Sequence, residues 1–180
     1  NLNLVIQVAE MTGNVLVCVN LIDEAERKGI CLNLPLLSEK LGVPVIGISA
    51  HHRRTLEKLG RALGDIPRGC SGRCIAVYPP AVEAAAGCIL PAAERISGGR
   101  LDGRWLSLKL LDGDERLISE ISRYLKTDIM AEPGVKNAVE KGCAILKCAG
   151  IDRERVKDIL TTGVINTAED ICRSVVSCKK

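Results

Sequence analysis

Two short clusters carry the residues whose types and spacing could do chemistry in this chain. Asn20 and Asp23 stand three residues apart, just past the apolar run Val15-Leu16-Val17-Cys18-Val19. Ser49 and Ala50 follow a second apolar run, Val43-Pro44-Val45-Ile46-Gly47-Ile48. An ionised carboxylate is an acceptor only, with two oxygens. It can take two N–H donors from one planar edge, such as the ring N–H and exocyclic amine of guanine. Adenine does not offer that pair. The spacing N-x-x-D has a plain structural reading as well, a helix N-cap, and it stays open at this point. His51-His52 come next and could lie near a base or ribose, or simply open a surface helix. Neither has a nucleophile or carboxylate partner that would make a catalytic set.

The elements that must position these residues are two buried strands. Five consecutive apolar residues at Val15–Val19, three of them β-branched, read as a fully buried strand. There Cys18 counts as a small hydrophobe. The run Val43–Ile48 reads as a second such strand. About twenty residues lie between them, the length a right-handed parallel crossover needs. In an open α/β sheet, ligands sit outside the carboxyl ends of the strands, where both clusters fall. A strand ending in N-x-x-D, a crossover, and a strand ending in Ser-Ala resemble the last third of a Ras-like GTPase domain. In that resemblance the Asp reads the guanine edge, the Asn ties the loop down, and a backbone N–H of the Ser-Ala loop reaches the guanine carbonyl.

The bulk numbers narrow the classes. The chain has 180 residues, 47% of them hydrophobic and 26% charged, as expected of an ordinary globular protein. With one Trp, two Tyr and no Phe, the core must be built from Leu, Ile, Val and Ala. A net charge of +3 and so few aromatics argue against nucleic acid as a partner. No apolar run reaches the roughly 18–20 residues of a membrane helix, and no signal peptide is visible. The chain opens at Asn1 inside a helical pattern, which suggests a piece of a longer protein. Cysteines stand at 18, 31, 70, 74, 88, 143, 148, 172 and 178; an odd count without C-x-x-C argues against a disulfide framework or zinc ribbon. Cys70 and Cys74 with His51-His52 form the one metal alternative. Reduced thiols in a cytosolic compartment are the expectation.

Taken in order, residues 1–11 predict a helix with Leu2, Val5, Ile6 and Ala9 on one face. Asp23 to Lys28 reads as a helix whose charge order suits the macrodipole, closed by Gly29. Asn33 to Leu41 reads as a helix with Pro35 near its start and Gly42 after its end. His51 to Leu63 is expected to be helical with Leu56, Leu59 and Leu63 inward. Residues 64–80 are rich in Gly, Pro and Ser and mark a boundary, with a short extended piece at Ile75–Tyr78. From Ala81 onward the pattern predicts helices only. Pro91 should kink or interrupt the first of them, and Gly163 is a candidate break in the last. The expected organisation is 1–66 as part of an α/β domain, 67–80 as linker and 81–180 as an all-α domain.

The matching words then identify a family resemblance. Asn1-Leu2-Asn3-Leu4, V-C-V-N-L-I-D-E-A-E-R-K-G-I at 17–30, L-S-E-K-L-G-V-P-V-I at 37–46, Ser49-Ala50 and R-W-L-S-L-K-L-L-D-G-D at 104–114 resemble the cytosolic region of the bacterial ferrous iron transport protein B family. The resemblance covers most of residues 1–125. It implies a partial Ras-like, P-loop NTPase-type parallel sheet followed by a helical spacer that joins the GTPase domain to a membrane transporter for Fe²⁺. It implies that Asn20 and Asp23 hold guanine and that Ser49 and Ala50 form the base-contacting loop. It implies GTP or GDP as ligand, with Mg²⁺ in the intact parent, at the cytoplasmic side of the bacterial inner membrane. Partners would be the missing N-terminal half of the GTPase domain and the membrane part; a homo-oligomer stays open.

Two departures qualify that expectation. Leu21 follows Asn20 where most small GTPases have Lys, so no Lys stem covers the base. More important, neither G-x-x-x-x-G-K-[ST] nor D-x-x-G occurs anywhere in the chain. Ser97-Gly98-Gly99-Arg100 lacks the Lys and follows a helix. The chain alone is therefore expected to be inactive as a GTPase and to bind guanine nucleotide weakly at best. Two parallel strands make a poor independent sheet, so the missing half is expected to pair with the Val15–Val19 edge. Two alternatives are a helical interaction module with a sheet remnant that binds no nucleotide, and a cysteine-rich metal or redox protein.

Overall fold

The computed structural model describes residues 1–49, 53–64 and 75–178. Helix α1 (Leu2–Met11) turns Ile6, Ala9 and Glu10 inward. Strand β1 (Val17–Val19) is followed by helix α2 (Ile22–Arg27), strand β2 (Ile30–Leu32), helix α3 (Leu34–Leu41) and strand β3 (Val45–Gly47). β1 and β3 pair in parallel, with Val17 opposite Val45 and Val19 opposite Gly47. Helix α4 (Arg53–Gly64) comes next.

The parallel crossover is therefore present, but the strands are three residues each and only half-buried. Cys18 is exposed rather than a core hydrophobe. The physical reason is the sheet's width: among the described residues each strand has a single neighbour, so the outer edge of β1 is uncovered. Leu63 is also exposed, at 55%, and does not face inward. The Cys70–Cys74 segment, His51-His52 and Ala50 lie outside the described residues.

Helices dominate the second half. α5 (Pro80–Ser97), α6 (Gly103–Asp112), α7 (Glu115–Leu125), α8 (Val135–Cys148) and α9 (Arg153–Val175) are joined by short turns, one of them a 3-10 turn at Ile129–Ala131. Asp102, Asp114 and Asp152 each cap a helix by accepting a backbone N–H from its first turn. α5 runs unbroken through Pro91. The carbonyl that loses its partner there belongs to Gly87, which is exposed, so water can satisfy it. α9 runs unbroken through Gly163, whose missing side chain leaves room for the Tyr78 ring. Residues 75–78 form no strand.

One element departs from the all-helical expectation. Strand β4 (Val176–Cys178) pairs antiparallel with β2, with Cys31 opposite Ser177, and the Asn33 N–H donates to Val175 O at 2.9 Å. The end of the last helix is thus tied back to the α/β half. A single hydrophobic cluster runs through both halves, joining Ile6, Ala9, Leu37 and Leu41 to Leu160, Val164 and Val175.

Candidate functional site

The turn that carries Asn20 and Asp23 is set by the backbone. The Ile48 N–H donates to Val19 O at 2.8 Å, and the Ile22 N–H donates to Ile48 O at 3.4 Å. The pairing of β1 with β3 thus continues past the ends of both strands and lays residues 20–23 against Ile48-Ser49. Gly47 permits this closeness: a Cβ there would stand 2.8 Å from Leu34 Cδ1 and 2.9 Å from Ile22 Cγ1.

Asn20 closes the turn. Its Oδ1 accepts the Leu21 N–H at 2.8 Å. Leu21 adopts a left-handed conformation, φ 61°, sparsely populated by residues other than glycine. Its carbonyl then accepts from Glu24 and Ala25, starting α2. Asp23 is the second residue of that helix and not its N-cap. It lies in the first turn, where the helix dipole favours a carboxylate.

The two oxygens of Asp23 have different surroundings. Oδ1 is buried, and Ser49, itself a buried residue, stands beside the carboxyl. Oδ2 lies 3.2 Å from the Arg27 guanidinium, on the exposed side of the helix. The Ser49 hydroxyl first, then the local backbone N–H groups and Arg27, hold the Asp23 carboxyl below the usual carboxylate range, against a partial desolvation. It is therefore ionised, and acceptor-only, at neutral pH. The structure brings Asn20, Asp23 and Ser49 together at the carboxyl ends of β1 and β3. Arg27, which the sequence reading did not single out, joins them; its spacing of four from Asp23 on a helix was the available signal.

The sequence has no glycine-rich phosphate loop. Among the described residues no group of three His, Cys, Asp or Glu side chains stands where it could ligate a metal ion. Nor is any described helix long and apolar enough to cross a membrane.

Comparison with known proteins supplies the family. Residues 1–63 match the family described as ferrous iron transport protein B, and residues 78–177 match the FeoB cytosolic helical domain. An Fe(2+) transport protein A/Fe(2+) transporter FeoB fusion protein of Porphyromonas gingivalis is 32% identical over 129 residues, covering 65% of this chain and 14% of the relative. An Fe(2+) transporter FeoB of Synechocystis is 34% identical over 70 residues, covering 37% of this chain and 11% of the relative. Among solved structures, an S. thermophilus NFeoB variant bound to GDP superposes with a TM-score of 0.71 at 22% identity, covering 98% of this chain and 64% of that one. The apo cytosolic domain of the T. maritima FeoB iron transporter gives 0.69 at 22% identity, covering 98% and 62%. The chain therefore spans under two thirds of those crystallised chains and a small fraction of the curated relatives, while sharing their fold: a partial Ras-like α/β sheet followed by a helical domain. With the helical-domain match alone covering more than half of its residues, this chain belongs to the FeoB ferrous iron transporter family.

Proposed function

We propose that this chain is the guanine-reading half of a FeoB nucleotide site, carried with the helical spacer of the same cytosolic region. Asn20 ties the turn, Asp23 accepts the ring N–H and exocyclic amine of guanine, and the Ser49-Ala50 loop meets the base carbonyl. The observation that carries this reading is the Asp23 carboxylate set beside Ser49 at the carboxyl ends of two parallel strands. The GDP-bound relative of the same fold supports guanine as the ligand. Residues 1–66 would form the back of the GTPase domain and 81–180 the spacer.

In the parent, phosphate contacts and Mg²⁺ would come from the remainder of the GTPase domain, so no step of phosphoryl transfer is assigned to this chain. The membrane transporter for Fe²⁺ would be its partner, at the cytoplasmic face of the bacterial inner membrane.

Titration of a fluorescent GDP analogue tests the reading. The parent's cytosolic region, including the segment upstream of Asn1, should prefer guanine over adenine nucleotides, and this chain alone should bind far more weakly. In the longer protein Asp23→Asn should shift preference towards xanthine nucleotides, because an amide donates where the carboxylate accepted. Unchanged guanine preference in that variant would sink the base-reading role.

A further inference from the structure

The sequence expectation gave Asp23 the amine edge of the base and the Ser49-Ala50 loop its carbonyl. The geometry adds a second side chain. Arg27 curls back along α2, its Nε donating to the Asp23 main-chain carbonyl and its Nη2 to Asp23 Oδ2, both at 3.2 Å. Oδ1 is buried, and the Ser49 hydroxyl acts on the same carboxylate. The carboxylate is thus anchored at Oδ2 by its own helix, with Ser49 of the β3 loop beside it.

We propose that Arg27 is a positioning residue for guanine selectivity, holding Asp23 Oδ2 towards the exocyclic amine of the base. This rests on the guanine reading above. Guanine presents its carbonyl, ring N–H and amine in that order along one edge. With the carbonyl directed to the Ser49 loop, the amine lies at the far end of that edge, on the side of the exposed Oδ2. A carboxylate oxygen has two lone pairs, so Oδ2 can accept from Arg27 and from the amine together. Without Arg27, Oδ2 faces water and loses the donor that holds its orientation. The amine then meets an acceptor that must first be ordered.

Inosine diphosphate separates this role from general support of the fold, because it keeps the ring N–H and carbonyl but lacks the amine. Affinities for GDP and inosine diphosphate would be measured on the parent's cytosolic region, for wild type, Arg27→Gln, Arg27→Lys and Asp23→Asn. Arg27→Gln should weaken GDP binding about threefold, the scale of an exposed charged pair, and leave inosine diphosphate unchanged. Arg27→Lys should recover part of the loss. Equal losses for both nucleotides would make Arg27 merely structural. A rise in GDP affinity would make it a competitor of the amine; an unchanged ratio would remove its role. Each of these overturns the proposal while a normal xanthine shift in Asp23→Asn leaves the base reading standing. If Asp23→Asn keeps its guanine preference, the base reading itself fails and this inference with it.

Discussion

Glu10 is 4% exposed yet ionisable, and it is the residue on which the two halves of the chain converge. Its Oε1 accepts the Ala76 N–H at 2.8 Å and the Ile75 N–H at 3.3 Å. Arg104 of α6 stands 3.6 Å away, pairs also with Glu83 of α5, and lies over the Tyr78 ring at 5.2 Å. Burial raises the Glu10 carboxyl above its ordinary value of 4.5, outweighing the lowering by those N–H groups, Arg104 and Lys109. A raised folded-state value means that the folded protein holds this proton more tightly than the unfolded chain. The stability it contributes is complete below about 4.5 and is lost as pH rises through the folded value. Glu10→Gln removes that loss, so urea unfolding should show the variant gaining on wild type as pH rises from 4.5. A pH-independent difference would contradict this. Glu10→Ala should cost about 1–3 kcal/mol, because it strands two backbone donors. At this scale the sequence was informative where spacing carries meaning: Asn20, Asp23 and Ser49 meet as their positions at two strand ends imply. Glu10 was missed because its partners come from α6 and from the 75–76 segment, far along the chain. Its position four after Ile6 on the inward stripe was the one local sign. Cys18 misled, because apolar character marks a strand but not whether a neighbour covers it.

Elements meet here through two kinds of contact, one close and one marginal. α5 and α8 approach so tightly that a Cβ on Gly142 would stand 3.0 Å from both Ala85 O and Leu111 Cδ2. Gly142→Val should therefore destabilise by about 1–3 kcal/mol. Gly87, exposed on α5 with nothing within 4 Å of its Cβ position, is the control. Gly87→Ala should stabilise by about 0.5–1 kcal/mol through helix propensity and the unfolded state. Thermal melts of the two variants should move in opposite directions; a loss in both would refute the packing assignment. The marginal contact is β2 with β4, three half-buried residues against three exposed ones. Hydrogen-bonded pairs alternate in an antiparallel ladder, so Ser177 falls in the same class as Val175, two residues away. Ser177→Pro should remove that donor and speed amide exchange across residues 31–33, with under about 1 kcal/mol of global cost. Helix periodicity, capping aspartates and glycine stops made the helices legible. β4 was not, since three residues after a long helix carry no alternation to read.

Across the whole molecule, composition and periodicity separate an α/β part from a helical part but say nothing about how firmly they join. The core answers that. Ile6 and Leu41, both fully buried, share one cluster with Val156, Leu160 and Val175 of the last helix. That contact joins residues over 150 positions apart in the chain, which no local pattern encodes. Unfolding should accordingly be one cooperative transition. Trp105, the chain's only tryptophan, lies in α6, 8% exposed, beside Glu10 in the cavity between α1, α6 and α9. Its fluorescence reports the helical half as it meets α1, whereas far-UV circular dichroism reports all helices. Ile6→Ala removes a fully buried side chain from the other half and should cost about 2–5 kcal/mol. If the two parts share one core, the fluorescence and dichroism midpoints coincide in wild type and fall together in Ile6→Ala. A variant in which dichroism shifts while the Trp105 signal holds its midpoint would mean that the halves unfold separately. The helical half would then be an independent unit, unable to sense the Asn20–Asp23 turn through the core.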